Sequence, residues 1–187
     1  QHSGTVTHLA ETGYVRLEQG PATVFFDVAP IGPDYLPGHA HADTLTFELS
    51  LFGQRWIVDD GCSTYDEGAE RLRQRGTAAH NTVVVDDADS SEVWASFRVA
   101  RRARIQELVL SEGAGHCTVT ASHNGYLRLP GRVIHRRSVT LCPTALDVVD
   151  ELTGRYRSAV SYLLLHPDVT VRKLTTQSLE LQCGGHI

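Results

Sequence analysis

The sequence predicts an all-β fold, an antiparallel layered β-sandwich, on three observations. Apolar and polar residues alternate in one strand-length run after another, turn-forming residues separate the runs at short spacing, and only one short segment has a helical pattern. Many strands with almost no helix indicate sheet packed on sheet. Period-two alternation also fixes which face of each strand meets the core.

Taken in order, residues 22–28, 44–51, 55–59 and 81–86 alternate and are expected as strands. Residues 97–110 read as a strand with a bend or interruption, followed by 116–122, 132–141, 145–152, 159–165 and 178–183. Phe52-Gly53-Gln54, Asp86-Asp87-Ala88-Asp89, Asn124-Gly125 and Pro130-Gly131 supply the turns. Asn-Gly between two strand-like runs predicts a tight hairpin, because both residues tolerate positive φ. Residues 66–75 form the one helical segment, short and mostly polar.

A chain of 187 residues suits one domain with a sizeable core, so 1–187 is expected as a single unit. A net charge of −5 and a pI near 6.0 argue against a nucleic-acid binder, which normally carries a basic footprint. The longest apolar run, 159–165, is strand-sized and far short of the ~20 residues that span a bilayer. Gln1-His2-Ser3-Gly4 has neither the basic nor the apolar segment of a signal peptide. The chain contains no Met, so it is expected to be a processed protein or a fragment of a larger one. Cys62, Cys117, Cys142 and Cys183 form no CxxC pair and make a poor thiolate zinc framework. Three of them lie among apolar neighbours and are expected to be buried and unreactive. One disulfide stays open if the parent protein is exported.

Chemistry concentrates in His39-Ala40-His41-Ala42-Asp43, Asp59-Asp60-Gly61 and His80-Asn81-Thr82. Neutral imidazoles with one carboxylate are the donor set of a zinc site that keeps a position open to water or substrate. On extended chain His39 and His41 face the same way, so both can serve one pocket. The apolar run Trp56-Ile57-Val58 delivers Asp59 at its end, and His80 opens the next strand. Alternatives stay open at this level. Each histidine has an ordinary surface or core role available to it, and HxH occurs in cupins and other metal-dependent β-folds. Asp43 suits either a ligand or a carboxylate that orients His41. Of Asp59 and Asp60, only one can face the pocket in strand register.

The segment Pro37-Gly38-His39-Ala40-His41-Ala42-Asp43-Thr44-Leu45-Thr46-Phe47-Glu48-Leu49 resembles the PGHxHxDxLSFEL stretch of the heparinase II/III-like polysaccharide lyases. So do Val58-Asp59-Asp60-Gly61-Cys62-Ser63-Thr64-Tyr65, Gly76-Thr77-Ala78-Ala79-His80-Asn81-Thr82-Val83 and Ser90-Ser91-Glu92-Val93-Trp94. The blocks stand in family order, and the resemblance covers about residues 10–170. Position 60 is often Pro or Ser in that family, so Asp60 is a departure that adds charge beside the ligand set.

The resemblance implies a C-terminal β-sandwich lacking the family's N-terminal α/α toroid. It implies zinc held by His41, Asp59 and His80, with His39 facing the cleft near the sugar carboxylate. Tyr65 joins His39 as a proton-transfer candidate. Asn81 and Arg75 are the implied substrate contacts, Arg71 and Arg73 being weighed with Arg75 against a solvated charged turn. The implied reaction is β-elimination on a uronate-containing acidic polysaccharide, with the principal acid and base in the toroid. The chain alone is therefore expected to bind metal and show little activity. A periplasmic or secreted parent is also implied, and oligomeric state is not. Two other readings remain: a non-catalytic carbohydrate-binding or structural sandwich, and a cupin-like metal enzyme.

Overall fold

A computed structural model describes residues 4–186; residues 1–3, including most of the Gln1-His2-Ser3-Gly4 stretch read for a signal peptide, and residue 187 lie outside the described residues. Five strands run in order as an antiparallel meander: β1 (Thr5–Leu9), β2 (Tyr14–Gln19), β3 (Ala22–Asp27), β4 (Phe47–Leu51) and β5 (Gln54–Ile57). The one α-helix, α1 (Ala69–Arg75), follows, then β6 (Val83–Val85) and the small hairpin of β7 (Val93–Trp94) and β8 (Arg98–Val99). A second meander holds β9 (Ile105–Gly113), β10 (His116–His123), β11 (Ile134–Cys142) and β12 (Ala145–Thr153). The chain continues through β13 (Ala159–Ser161), paired with β6, and the hairpin of β14 (Thr170–Lys173) and β15 (Leu179–Gln182).

The two meanders pack face to face, and the expected layered all-β sandwich is what the chain forms. Val15 and Leu17 of β2, Val24 and Phe26 of β3, and Phe47 and Leu49 of β4 supply one inner face. Cys117, Val119 and Ala121 of β10 with Val139 and Leu141 of β11 supply the other. Alternate residues of β11 are buried, as period-two sequence requires. All four cysteines are unpaired, and Cys117 and Cys183 are buried. No helix among the described residues is long and apolar enough to cross a membrane.

Several expected boundaries move, each for a local reason. β1 and β2 were not expected, although Val15, Leu17 and Gln19 do alternate inward between the charged Arg16 and Glu18. The run 44–51 becomes regular only at Phe47, because Leu45 takes φ 67 and breaks the extension. The run 81–86 shrinks to β6, ending where Asp86 and Asp87 turn with φ 51 and 57. Residues 97–110 divide into β8 and β9, and 159–165 into β13 and an isolated bridge from Leu165 to Ile57. Asn124-Gly125 makes no two-residue hairpin; it opens a 3-10 turn, Gly125–Arg128, in a longer connection between β10 and β11. Glycine is needed there for space, since a Cβ would stand 2.2 Å from the Ser90 carbonyl oxygen.

Beneath the second sheet lies a buried polar chain. The Gly125 N–H donates to His123 Nδ1 (3.1 Å), which leaves the proton on Nε2 to donate to His135 Nδ1 (3.2 Å). His135 then donates from Nε2 to Asp150 Oδ1 (2.6 Å). Arg137, fully buried and opposite Asp150 in the β11–β12 register, forks onto both carboxylate oxygens at 2.7 and 2.8 Å. Its remaining donor serves the carbonyls of Leu45 (2.9 Å) and Asn81. Burial works to raise the Asp150 carboxyl, but the His135 and Arg137 hydrogen bonds outweigh it and hold the group well below the usual carboxylate range. Burial holds both histidines below the ordinary imidazole value.

Asp150→Asn, which leaves Arg137 without its counter-charge in the core, should cost about 3–5 kcal/mol in urea unfolding. Because the folded carboxyl is depressed, its stabilisation is complete above the unfolded value of about 3.9 and is lost as pH falls through and below it. The variant should therefore lose less stability than the parent between about pH 5 and pH 3. Equal acid slopes in the two proteins would refute the assignment.

Candidate metal centre and cleft

Three irregular segments bring the candidate residues together. The first begins with a 3-10 turn, Pro37–His39, and becomes extended at Ala40 (φ −68, ψ 138). His39 therefore leaves a turn, and the expected same-face relation to His41 along a strand does not hold. The Ala42 N–H donates to the Arg75 carbonyl (2.8 Å), and its own carbonyl accepts from the Thr77 (2.8 Å) and Ser90 (3.1 Å) hydroxyls. Asp59 stands just past the end of β5, where its Oδ1 accepts the Gly61 N–H at 2.9 Å. His80 follows the 3-10 turn Thr77–Ala79 and is fully buried.

Ligand atoms of His41, Asp43 and His80 all lie within 4.8 Å of one another. Asp59 joins the group through His80, whose Nδ1 is 2.7 Å from Asp59 Oδ2. The His41 and His80 rings tilt against each other at a centroid distance of 5.2 Å. Buried His80 Nε2 makes no well-formed hydrogen bond, although the Gln74 carbonyl is near enough to favour the protonated ring. An incompletely satisfied buried imidazole among two carboxylates and a second imidazole is a donor set that fits a divalent cation.

The electrostatics favour the same reading. Burial, then His80 and Arg71, push the His41 imidazole down to about 4, which leaves it neutral and ligand-competent at neutral pH. Arg71 donates to His41 Nε2 (3.1 Å), a bond that a cation held at that nitrogen would replace. Burial opposes a charge on His80, but the Asp59 hydrogen bond and the Asp43 charge outweigh it and raise the ring above its ordinary value. Asp59 is lowered because His80 and the Gly61 N–H together exceed the effect of its burial. Burial pushes Asp43 up to about 6, with His80 pulling against it and Asp59 adding to it. Asp27, at the end of β3, is also raised, by burial and then by Asp43, and Tyr14 is pushed up to about 12 by burial and by Asp27. Asp27, Asp43, Asp59 and Tyr14 line one small cleft of about 160 Å³. Asp27 and Tyr14 belong to this environment without having been singled out in the sequence; each ends or begins a regular strand, which gave no chemical signal.

Beside the metal-type cluster, His39 Nδ1 and the Tyr65 hydroxyl lie 2.9 Å apart, and both residues are exposed. The Arg71 guanidinium sits 4.8 Å from the Tyr65 ring centre and 3.1 Å from the Cys62 sulfur. It therefore bridges the His39–Tyr65 pair to His41.

Arg75 and Asn81, expected as substrate contacts, are both fully buried. Arg75 donates to the carbonyls of Ala40 (2.9 Å), Ala95 (2.9 Å) and Arg98 (3.1 Å), which engages all three of its nitrogens. The Asn81 amide donates to the Phe47 and Val58 carbonyls (both 2.9 Å) and accepts from the Leu164 N–H (2.6 Å). Neither side chain offers a group to the cleft, so both act as scaffold. Arg73, by contrast, is exposed and paired with Glu70 (2.9 Å) and Asp60 (3.0 Å). Asp60 thus points to the helix surface, while Asp59 turns to His80.

Residues 2–186 match the protein-family model described as heparinase II/III-like, C-terminal. Among solved structures, a mutant of the heparan sulfate lyase HepC from Pedobacter heparinus aligns with a TM-score of 0.67 at 22% identity, covering 89% of this chain and 25% of that one. The heparinase III BT4657 gene product aligns at 0.68 and 20% identity, covering 91% and 25%. A heparinase III structure aligns at 0.66 and 22%, covering 89% and 26%. At these identities the likeness is one of fold, and the chain spans about a quarter of the length of each solved chain. No curated protein sequence matches.

Two neighbouring arginines should separate scaffold from surface. Arg75→Leu removes the partner of the buried Ala40 carbonyl, at about 1–3 kcal/mol, together with two part-buried bonds to Ala95 and Arg98, and should lower the urea midpoint clearly. Arg73→Ala, losing only exposed pairs, should change stability by no more than about 0.5 kcal/mol. Comparable losses in the two variants would contradict the burial of Arg75.

Proposed function

Since the chain belongs to the heparinase II/III-like C-terminal family, we propose that it is the β-sandwich portion of a polysaccharide lyase that cleaves a uronate-containing polymer by β-elimination. The observation that carries this reading is the juxtaposition of the exposed His39–Tyr65 pair with the buried His41, Asp43, Asp59 and His80 group. A metal-dependent hydrolase needs a water activated at its metal; an eliminase needs a carboxylate neutralised and a proton moved. The exposed pair is suited to the second task.

Elimination proceeds when the uronate carboxylate is neutralised, so that the C5 proton becomes removable and the glycosidic oxygen can leave as it is protonated. His39, at the rim, is the group of this chain suited to meet the carboxylate. Tyr65, sharing a proton with His39 and lying over the Arg71 charge, is suited to pass a proton to or from the sugar. The principal acid and base and much of the sugar-binding surface are assigned to the part of the longer protein that precedes this fold in its relatives.

The cation proposed is zinc, by the donor chemistry of imidazole and carboxylate. His41, His80 and Asp59 would hold it, with Asp43 the adjoining carboxylate that orients the set. When bound it supplies positive charge that ties the segments of the site together.

Purified protein should contain one zinc per chain, and His41→Ala or Asp59→Asn should abolish that stoichiometry by metal analysis. Asp43→Asn should weaken zinc by about 10–100-fold without abolishing it. The opposite ranking of the two aspartates would exchange their roles, and zinc retained in all three variants would sink the site. In the longer parent protein, His39→Ala should lower the kcat for unsaturated-product formation about 10²–10³-fold. The present chain alone should give almost none; hydrolysis without an unsaturated product would overturn the eliminase reading.

A further inference from the structure

Two fully buried arginines commit their donors to a hairpin too small to be stable by itself. β7 and β8 pair only through Val93 with Val99 and Trp94 with Arg98, and an isolated two-stranded hairpin is marginal in water. Its tip carries Ala95 at φ 46, a costly conformation for a residue with a Cβ. Arg71 holds the tip at the Ser96 carbonyl (3.3 Å), and Arg75 holds it at the Ala95 (2.9 Å) and Arg98 (3.1 Å) carbonyls. The same two guanidiniums grip the carbonyls of Gly38 (2.9 Å) and Ala40 (2.9 Å), on either side of His39. Hairpin and His39 turn are bolted to the same two charges and form one rigid unit.

What this unit turns outward is aromatic and cationic. Trp94 is 50% exposed and Phe97 41%. The Arg98 guanidinium lies 5.1 Å from the Trp94 ring centre. No carboxylate among the described residues pairs with Arg98, whereas nearby Arg101 and Arg102 are paired with Glu92 and Asp34. These groups, with Pro37 and Glu67, line an open cleft of about 430 Å³. Gly38 lies against Phe97, where a Cβ would stand 3.7 Å from the ring, so the cleft is continuous with the His39 turn.

We propose that Trp94, Phe97 and Arg98 form a subsite for an anionic sugar residue of the polymer, set along the chain from the linkage at His39 and Tyr65. The flat indole face takes the apolar face of a pyranose ring, and the free guanidinium takes its carboxylate or sulfate in bidentate fashion. Glu67 on the rim accepts from sugar hydroxyls. The unpaired Arg98 favours an acidic glycan over a neutral one, and the rigid mounting lowers the ordering cost of binding. This subsite rests on the polysaccharide reading above, but it makes a separate claim about affinity.

The test is surface plasmon resonance of the longer parent protein on immobilised heparan sulfate oligomers, alginate oligomers and neutral cellulose oligomers. Trp94→Ala should weaken binding to at least one of the acidic glycans about tenfold, and Arg98→Gln should do the same while leaving any cellulose binding unaltered. Zinc content and the thermal midpoint should stay at parent values, which separates a lost contact from a misfolded hairpin. Unchanged affinity in both variants overturns the subsite, as does a longer parent protein that binds no acidic glycan. Loss of surface capacity over repeated cycles reports cleavage independently. Capacity loss without dependence on Trp94 or Arg98 sinks the subsite and keeps the lyase reading. Binding that depends on these residues, with capacity retained, does the reverse.

Discussion

Between the two sheets, the Arg137 guanidinium meets the Asp150 carboxylate on one side and the Leu45 and Asn81 carbonyls on the other. Leu45 lies two residues beyond Asp43, and Asn81 directly follows His80. One buried cation from the second sheet thus fixes the backbone of two segments that carry metal-type ligands against the first. An isolated buried charge would cost far more than the fold could bear, so Asp150 must stay ionised. His135 and His123 in turn hold Asp150 with a one-way run of donors. The placement of the site depends on charge balance in a layer that never touches it.

The same device recurs around the cleft. The segments bearing His39, His41, Asp59 and His80 are turns and bends, so their carbonyls have no strand partner to accept from. Buried carbonyls must nevertheless be paired. Arg71 serves Gly38 and Ser96, Arg75 serves Ala40, Ala95 and Arg98, and Arg137 serves Leu45 and Asn81. Arginine suits this role because its planar fork carries several donors at fixed angles. Irregular backbone is thereby made rigid without a sheet, and ligands on loops gain the precision of ligands on strands.

The alternation in β3, β4, β10, β11 and β12 made the sandwich legible in sequence, since a period of two survives whatever the loops do. The spacing of His39, His41, Asp59 and His80 made the site legible as a set. Two things were not. Arg75 in a short polar helix looks like a solvated charge, and only the carbonyls at Ala40, Ala95 and Arg98, distant in sequence, make it a buried clamp. Similarly, Asn124-Gly125 carries the residues of a tight turn, yet its glycine answers to the Ser90 carbonyl pressing from another segment. Local pattern reports local demand; both failures came from contacts that no window of sequence contains.

The division between the buried and exposed halves of the site has a physical logic. Around His80 gather Asp43 and Asp59, with Asp27 behind them, in a region dry enough to push Asp43 and Asp27 upward. Such crowding of like charge is unfavourable unless a cation or shared protons offset it, so this half is organised to hold positive charge in place. His39 and Tyr65 lie on the wet side, hydrogen-bonded to each other and open to solvent. Arg71 touches both, donating to His41 and lying against Tyr65, and its guanidinium can only donate. It therefore acts as a fixed charge between the halves. One side chain thus ties the buried cluster to the exposed pair.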